Sequence, residues 1–238
     1  MPLPSRVRAN GDEPRDESER IPNSPMHGRL AGLVGVAMLA SGIFAGHVGS
    51  RLIVRGDAAA TSGNIVGNET LFRLGITGSL IMMIAYLIYA LLLYQLLKQA
   101  GRGLAMAMLG FVVAAVPVYV LNQLSLFAVL PLASERRYEQ VRLFLELHKA
   151  GNLLAAIFFG LWLFPLGLLV LRSSNFPRVL GVLLLCGTPG YLVLFVQAFV
   201  YPGSDRTLWT SPLLVVTHVS ELALLLWLLV KGGAATSR

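Results

Sequence analysis

Glu221 is the residue whose surroundings ask most of chemistry. It is the single acid in an otherwise apolar run from Ser211 to Val230. A carboxyl in such a run needs a proton or a cationic partner. His218 lies three residues before it and shares its helix face. Three more pairs have i,i+4 spacing: His148 with Asn152, His47 with Arg51, and Glu69 with Arg73. His148, Arg73, Arg51 and His218 are therefore the candidate partners of Glu221. Glu221, His148 and Glu69 are the candidate acid–base groups, because a carboxyl and an imidazole exchange protons near neutral pH. Arg51, Arg73, His148, Asn152, His218 and Glu221 are the candidate ligand-binding set, since guanidinium groups match carboxylate and phosphate geometry.

Each of these residues also has a purely structural reading. Glu221 with a basic partner makes an ion pair that holds helices together. The histidines His47, His148 and His218 make ordinary interhelical hydrogen bonds. Histidine with Glu146 or Glu221 suits zinc or iron chemically, yet the spacing matches no metal motif, so neither a metal nor a cofactor is expected. Phosphate-binding glycine loops, His-Glu-x-x-His and Gly-x-Ser-x-Gly are missing from the sequence. The lone Cys186 excludes an intrachain disulfide and reads as a small buried hydrophobe.

The elements that must position these residues are membrane helices. The chain is 55% hydrophobic and only 13% charged, too apolar to cover itself in water. Uncharged runs mark six spans: Leu30 to Ser50, Leu74 to Leu97, Gly103 to about Leu130–Pro131, Arg142 to Leu171, Val179 to Tyr201, and Ser211 to Val230. Barrel strands would show short alternating segments instead. The fold class is thus all-α, a six-helix transmembrane bundle over 29–232, with polar tails at 1–28 and 233–238. Residues 1–28 read as a disordered cytoplasmic tail ahead of an uncleaved first helix.

The short segments Lys98 to Arg102 and Arg172 to Arg178 carry bases and no acids, whereas the opposite segments mix both. The positive-inside rule then puts both termini in the cytoplasm, in the inner (plasma) membrane. The same rule accounts for the net charge of +7, with membrane lipid as the partner and no nucleic acid. Between the first two spans, Asp57 before Ala58-Ala-Ala-Thr-Ser predicts an N-cap and a short outer-surface helix, lying on the membrane or folded over the bundle. Pro117, Pro165 and Pro189 are expected to kink their helices.

On this topology the polar residues within spans gather toward the outer face. His47, Asn122, Gln123, Glu146, His148, Asn152, Gln197, His218 and Glu221 all fall there. Such residues face a bundle interior or a wet cavity. The pattern predicts a polar outer cavity above an apolar inner floor. Tyr86, Tyr89 and Tyr94 read as packing and interface residues. Trp162, Trp209 and Trp227 are expected at helix packing surfaces or in the interfacial belt.

Three stretches resemble a bacterial membrane family, domain of unknown function 4386. They are Arg51 to Thr61 continuing through Asn64-Ile65 to Gly75; Leu145 to His148 with Phe158 to Leu161 and Pro165 to Gly167; and Glu221 to Gly232. The likeness runs from about Arg29 to Gly232 and departs at Arg55, where the family commonly has proline. It implies a multi-helix bacterial membrane protein and supplies no activity. The leading expectation is a polar cavity that binds a small ligand or lipid headgroup. The alternatives are a membrane enzyme, resembling an isoprenoid cyclase or a metal-dependent hydrolase, and a transport or structural accessory protein.

Overall fold

The computed structural model describes residues 25–200 and 212–232. Most of the N-terminal tail, the C-terminal tail, Tyr201, Arg206, Trp209 and Ser211 lie outside them. The helices are α1 (Pro25–Leu52), α2 (Ala58–Gly67), α3 (Glu69–Leu97), α4 (Arg102–Ser134), α5 (Tyr138–Leu161), α6 (Leu163–Arg172), α7 (Arg178–Val200) and α8 (Pro212–Lys231). Six segments are long and apolar enough to cross a membrane, with α5 and α6 together forming one of them.

These spans close into a ring. Each packs on the next, from α1 through α3, α4, α5–α6, α7 and α8, and α8 returns to α1. Lipid supplies no hydrophobic drive between helices, so small residues and hydrogen bonds must hold them. Gly28 lies against the Gly232 carbonyl, and Gly32 against Leu229. Further along α1, Gly35 faces Tyr89 and Leu225, and Val48 faces Gly75. The α3 helix shows the resulting division of faces. Ile81, Ile84, Ile88 and Leu91 point outward and are exposed, while Met83, Tyr86, Tyr89 and Leu93 are buried toward the ring. Apolar residues outside and hydroxyl-bearing ones inside is the arrangement lipid selects.

The fourth and third spans depart from their expected limits. The α4 helix runs to Ser134, past Pro131, and α5 begins at Tyr138 rather than Arg142. Pro131 lacks only its own donor, and the helix ends three residues later in a motif that satisfies its last carbonyls. Arg137 N–H donates to Leu132 O at 2.9 Å and Arg136 N–H to Ala133 O at 3.1 Å, with Arg136 at φ 56°. This is a Schellman cap, in which glycine normally holds the left-handed position. Arg136→Gly is accordingly expected to raise stability by about 1 kcal/mol, read as a higher unfolding temperature in detergent; an unchanged or lower temperature would refute it. The fourth span is divided at Trp162, three residues before Pro165. The reason is local: Pro165 cannot donate to the Leu161 carbonyl.

The helix predicted after Asp57 forms. Asp57 Oδ1 accepts from Ala60 N–H at 2.8 Å. Buried Thr61 ties the preceding turn, accepting from Val54 N–H at 2.9 Å and donating to Asp57 O at 2.7 Å. The α2 helix folds over the bundle, against α4 and α5, and inserts fully buried Ile65 among Val48, Leu52, Phe72, Leu126, Val129 and Val141. It covers the α1, α3, α4 and α5 side of one end of the ring.

Candidate functional site

The polar residues occupy three levels along the ring axis. Nearest the α2 end are the water-facing charges. Arg73 pairs with Glu69 at 2.7 Å, and both side chains are at least half exposed (60% and 50%). A pair so open to solvent contributes at most about 1 kcal/mol. Arg51 is exposed at the end of α1, as is His47. Glu146 and Lys149 face each other loosely at 3.9 Å on the surface.

The second level is a clasp between α4 and α5. Asn122 Nδ2 donates to His148 O at 2.8 Å and to Asn152 Oδ1 at 2.9 Å. His148 Nδ1 lies 3.3 Å from Asn122 O, and its Nε2 lies 3.1 Å from Asn152 Nδ2. A carbonyl must receive the Nδ1 proton and an amide N–H must find Nε2 as acceptor, so the network assigns a neutral ring protonated on Nδ1. Gly151 makes the contact possible, because a β-carbon there would overlap the Asn122 side chain.

The third level sits at mid-depth, where the ring is filled by aromatic side chains from five spans. Tyr86 packs edge-on against Phe159 (centroids 5.6 Å apart) and Trp162 (5.2 Å). Tyr89 also meets Trp162, and Phe159 reaches Tyr119 and Tyr191 at 6.2 and 6.1 Å. Tyr191 in turn meets His218 at 5.8 Å. Glu221, halfway along α8, opens onto this cluster. The Tyr191 hydroxyl faces its Oε2 across a long 3.5 Å. Through Tyr191 the carboxyl adjoins Phe159 and, one ring further, Tyr86. Among the described residues no base lies within ion-pair distance of Glu221. The buried Tyr86 hydroxyl and the Trp227 Nε1 have no hydrogen-bond partner among the described residues. Glu221, Tyr191, Phe159 and His218 each retain accessible surface, unlike Tyr86, Tyr89 and Trp162.

Helix rise separates the levels. Arg73 precedes Tyr86 by 13 residues on α3, about 20 Å. His148 precedes Phe159 by 11 residues on α5, about 16 Å. Arg51 lies 16 residues beyond Gly35, the α1 residue touching Tyr89, or about 24 Å. Of the residues singled out from sequence, the structure brings His218 toward Glu221 and joins His148 to Asn152. It does not bring Arg51, Arg73 or His148 to Glu221. The hydroxyl it places against Glu221 instead is that of Tyr191, at 3.5 Å. A signal of the aromatic cluster was present in the i,i+3 spacing of Tyr86 and Tyr89, but hydropathy counts tyrosine with the packing residues and overlooks its hydroxyl.

His218 Nδ1 is held by Leu214 O at 2.7 Å. Toward the end where Gly28 meets Gly232, the ring is plugged by Leu93, Leu97, Met108, Leu166, Leu169 and Leu228, all fully buried. The mid-depth site is therefore closed on that side by hydrocarbon. Among the described residues no three of histidine, cysteine, aspartate and glutamate gather to hold a metal.

No curated protein and no solved structure matches this chain. A family model does, over residues 30–232. This integral membrane protein belongs to the family described as domain of unknown function DUF4386.

Proposed function

We propose that this protein binds a small ligand inside the helix ring, at the mid-depth site around Glu221, with both termini on the cytoplasmic side of the inner membrane. The observation that carries the reading is a partly buried carboxyl halfway along α8 with a single long hydroxyl contact and no cationic partner among the described residues. An ionisable group held at that depth without a partner is costly, and such a group supports the reading of a site there. The apolar plug below it and the accessible surface of His218 above it favour entry from the α2 end, on the α7–α8 side. His148, Asn122 and Asn152 brace the wall. Arg51 and Arg73, exposed at the α2 end, suit anionic lipid headgroups.

Dicyclohexylcarbodiimide, an apolar reagent for carboxylic acids, tests this. Added to the protein in lipid nanodiscs, it is expected to modify Glu221, read by peptide mass spectrometry, in preference to water-facing Glu69 and Glu146. Modification confined to those two surface acids would mean that no small molecule reaches the site, and the reading would fall.

A further inference from the structure

The walls of the mid-depth site say what class of molecule it takes. Its one ionisable acid is Glu221, and the aromatic side chains beside it that keep accessible surface are Phe159 of α5 and Tyr191 of α7, backed by the buried rings of Tyr86, Tyr89 and Trp162. Aromatic faces carry negative potential at their centres and attract cations, more strongly where water is excluded. A carboxylate at the same spot adds a full opposite charge. Two further features suit a polar ligand here. The Tyr86 hydroxyl is buried and without a hydrogen-bond partner among the described residues, and its ring packs on Phe159, which in turn meets Tyr191. The Glu221, Phe159 and Tyr191 side chains converge yet keep accessible surface. A compact inorganic ion would want several oxygen ligands at short range, whereas here one carboxyl and a few phenols are embedded in rings.

From this geometry we infer that the ligand is a monovalent organic cation of the alkylammonium type, its charge on Glu221 and its carbon groups against the aromatic walls. The inference rests on the ligand-binding reading above and names the ligand's class. Charge balances when entry of the cation is matched by loss of a proton from the Glu221 carboxyl to water. No net charge is added to the membrane interior in either state. The arrangement makes no use of Arg51, Arg73 or Lys149, each of which would repel such a ligand if it lay nearby.

The experiment uses the wild-type chain in nanodiscs, so that no folding defect can imitate the result. Choline, its uncharged carbon isostere dimethylbutanol, and sodium chloride at matched ionic strength are each added before dicyclohexylcarbodiimide. Choline is expected to slow modification of Glu221 by about tenfold at saturation, the isostere and sodium by less than about twofold. Tyr86→Phe and Tyr191→Phe, which keep ring packing and remove a hydroxyl, are expected to need several times more choline for the same protection. Equal protection by the isostere, or protection by sodium alone, overturns the inference while leaving a ligand site in place. Modification of Glu221 that no choline concentration slows also overturns it. Failure of the reagent to reach Glu221 at all overturns both this inference and the reading beneath it.

Discussion

Gly190→Leu is expected to cost about 3 kcal/mol or more and to lower the unfolding temperature by about 10 °C. The α7 and α8 helices touch at backbone distance around this residue. A β-carbon on Gly190 would overlap the Thr217 hydroxyl and come within 2.8 Å of the Leu213 carbonyl oxygen. The side chain can rotate away, but the carbonyl belongs to α8 itself and moves only with its helix. One turn earlier, Gly187 allows its own carbonyl to accept the Thr217 hydroxyl proton at 2.6 Å. Prising the helices apart loses that bond, worth about 0.6 kcal/mol within a membrane, and displaces Glu221 from Tyr191. Gly190→Ala should show the same fault in smaller measure, since the clash begins at the β-carbon. Gly110→Ala is the matched control, because nothing lies within 4 Å of a β-carbon there. Thermal unfolding of the three variants in one detergent decides the matter: equal stability of Gly190→Leu and Gly110→Ala would show that the α7–α8 contact does not hold the ring.

The second large effect belongs to the α4–α5 clasp. Asn122→Leu is expected to destabilise by about 2 kcal/mol. It removes both donors to α5 and leaves Asn152 Oδ1 without its 2.9 Å partner. Asn152→Leu should cost a similar amount, because His148 Nε2 then loses the amide at 3.1 Å. The two side chains belong to one network, so the double variant is expected to lose about 1 kcal/mol less than the sum of the singles. Strictly additive losses in a double-mutant cycle would mean that the amides act separately and that no clasp exists. The same experiment bears on His148. Its ring is fixed between Asn122 O and Asn152 Nδ2, which makes it a brace for the site wall, with neither nitrogen left over for proton exchange with Glu221.

The amino-acid sequence determined the parts of this protein that depend on neighbours along the chain. Six apolar runs became six spans, because a backbone in hydrocarbon must satisfy its own hydrogen bonds within each run. Asp57 capped α2, and Glu69 met Arg73 one turn away. His148 met Asn152 by the same local spacing. Tertiary structure alone decided which helices face each other and at what depth their polar groups meet. Periodicity gives the face of a helix a side chain occupies; it carries no information on the partner opposite that face. Glycine contacts between α1, α3, α7 and α8 set the spacing and register of the ring, and that register brought Glu221 to Tyr191 and its aromatic neighbours. Arg73 and His148 ended about three to four helix turns too far away, since each residue of separation along a helix adds a fixed rise of about 1.5 Å. The tyrosines were hidden in the sequence by their double nature, a ring that packs like a hydrophobe and a hydroxyl that needs a partner.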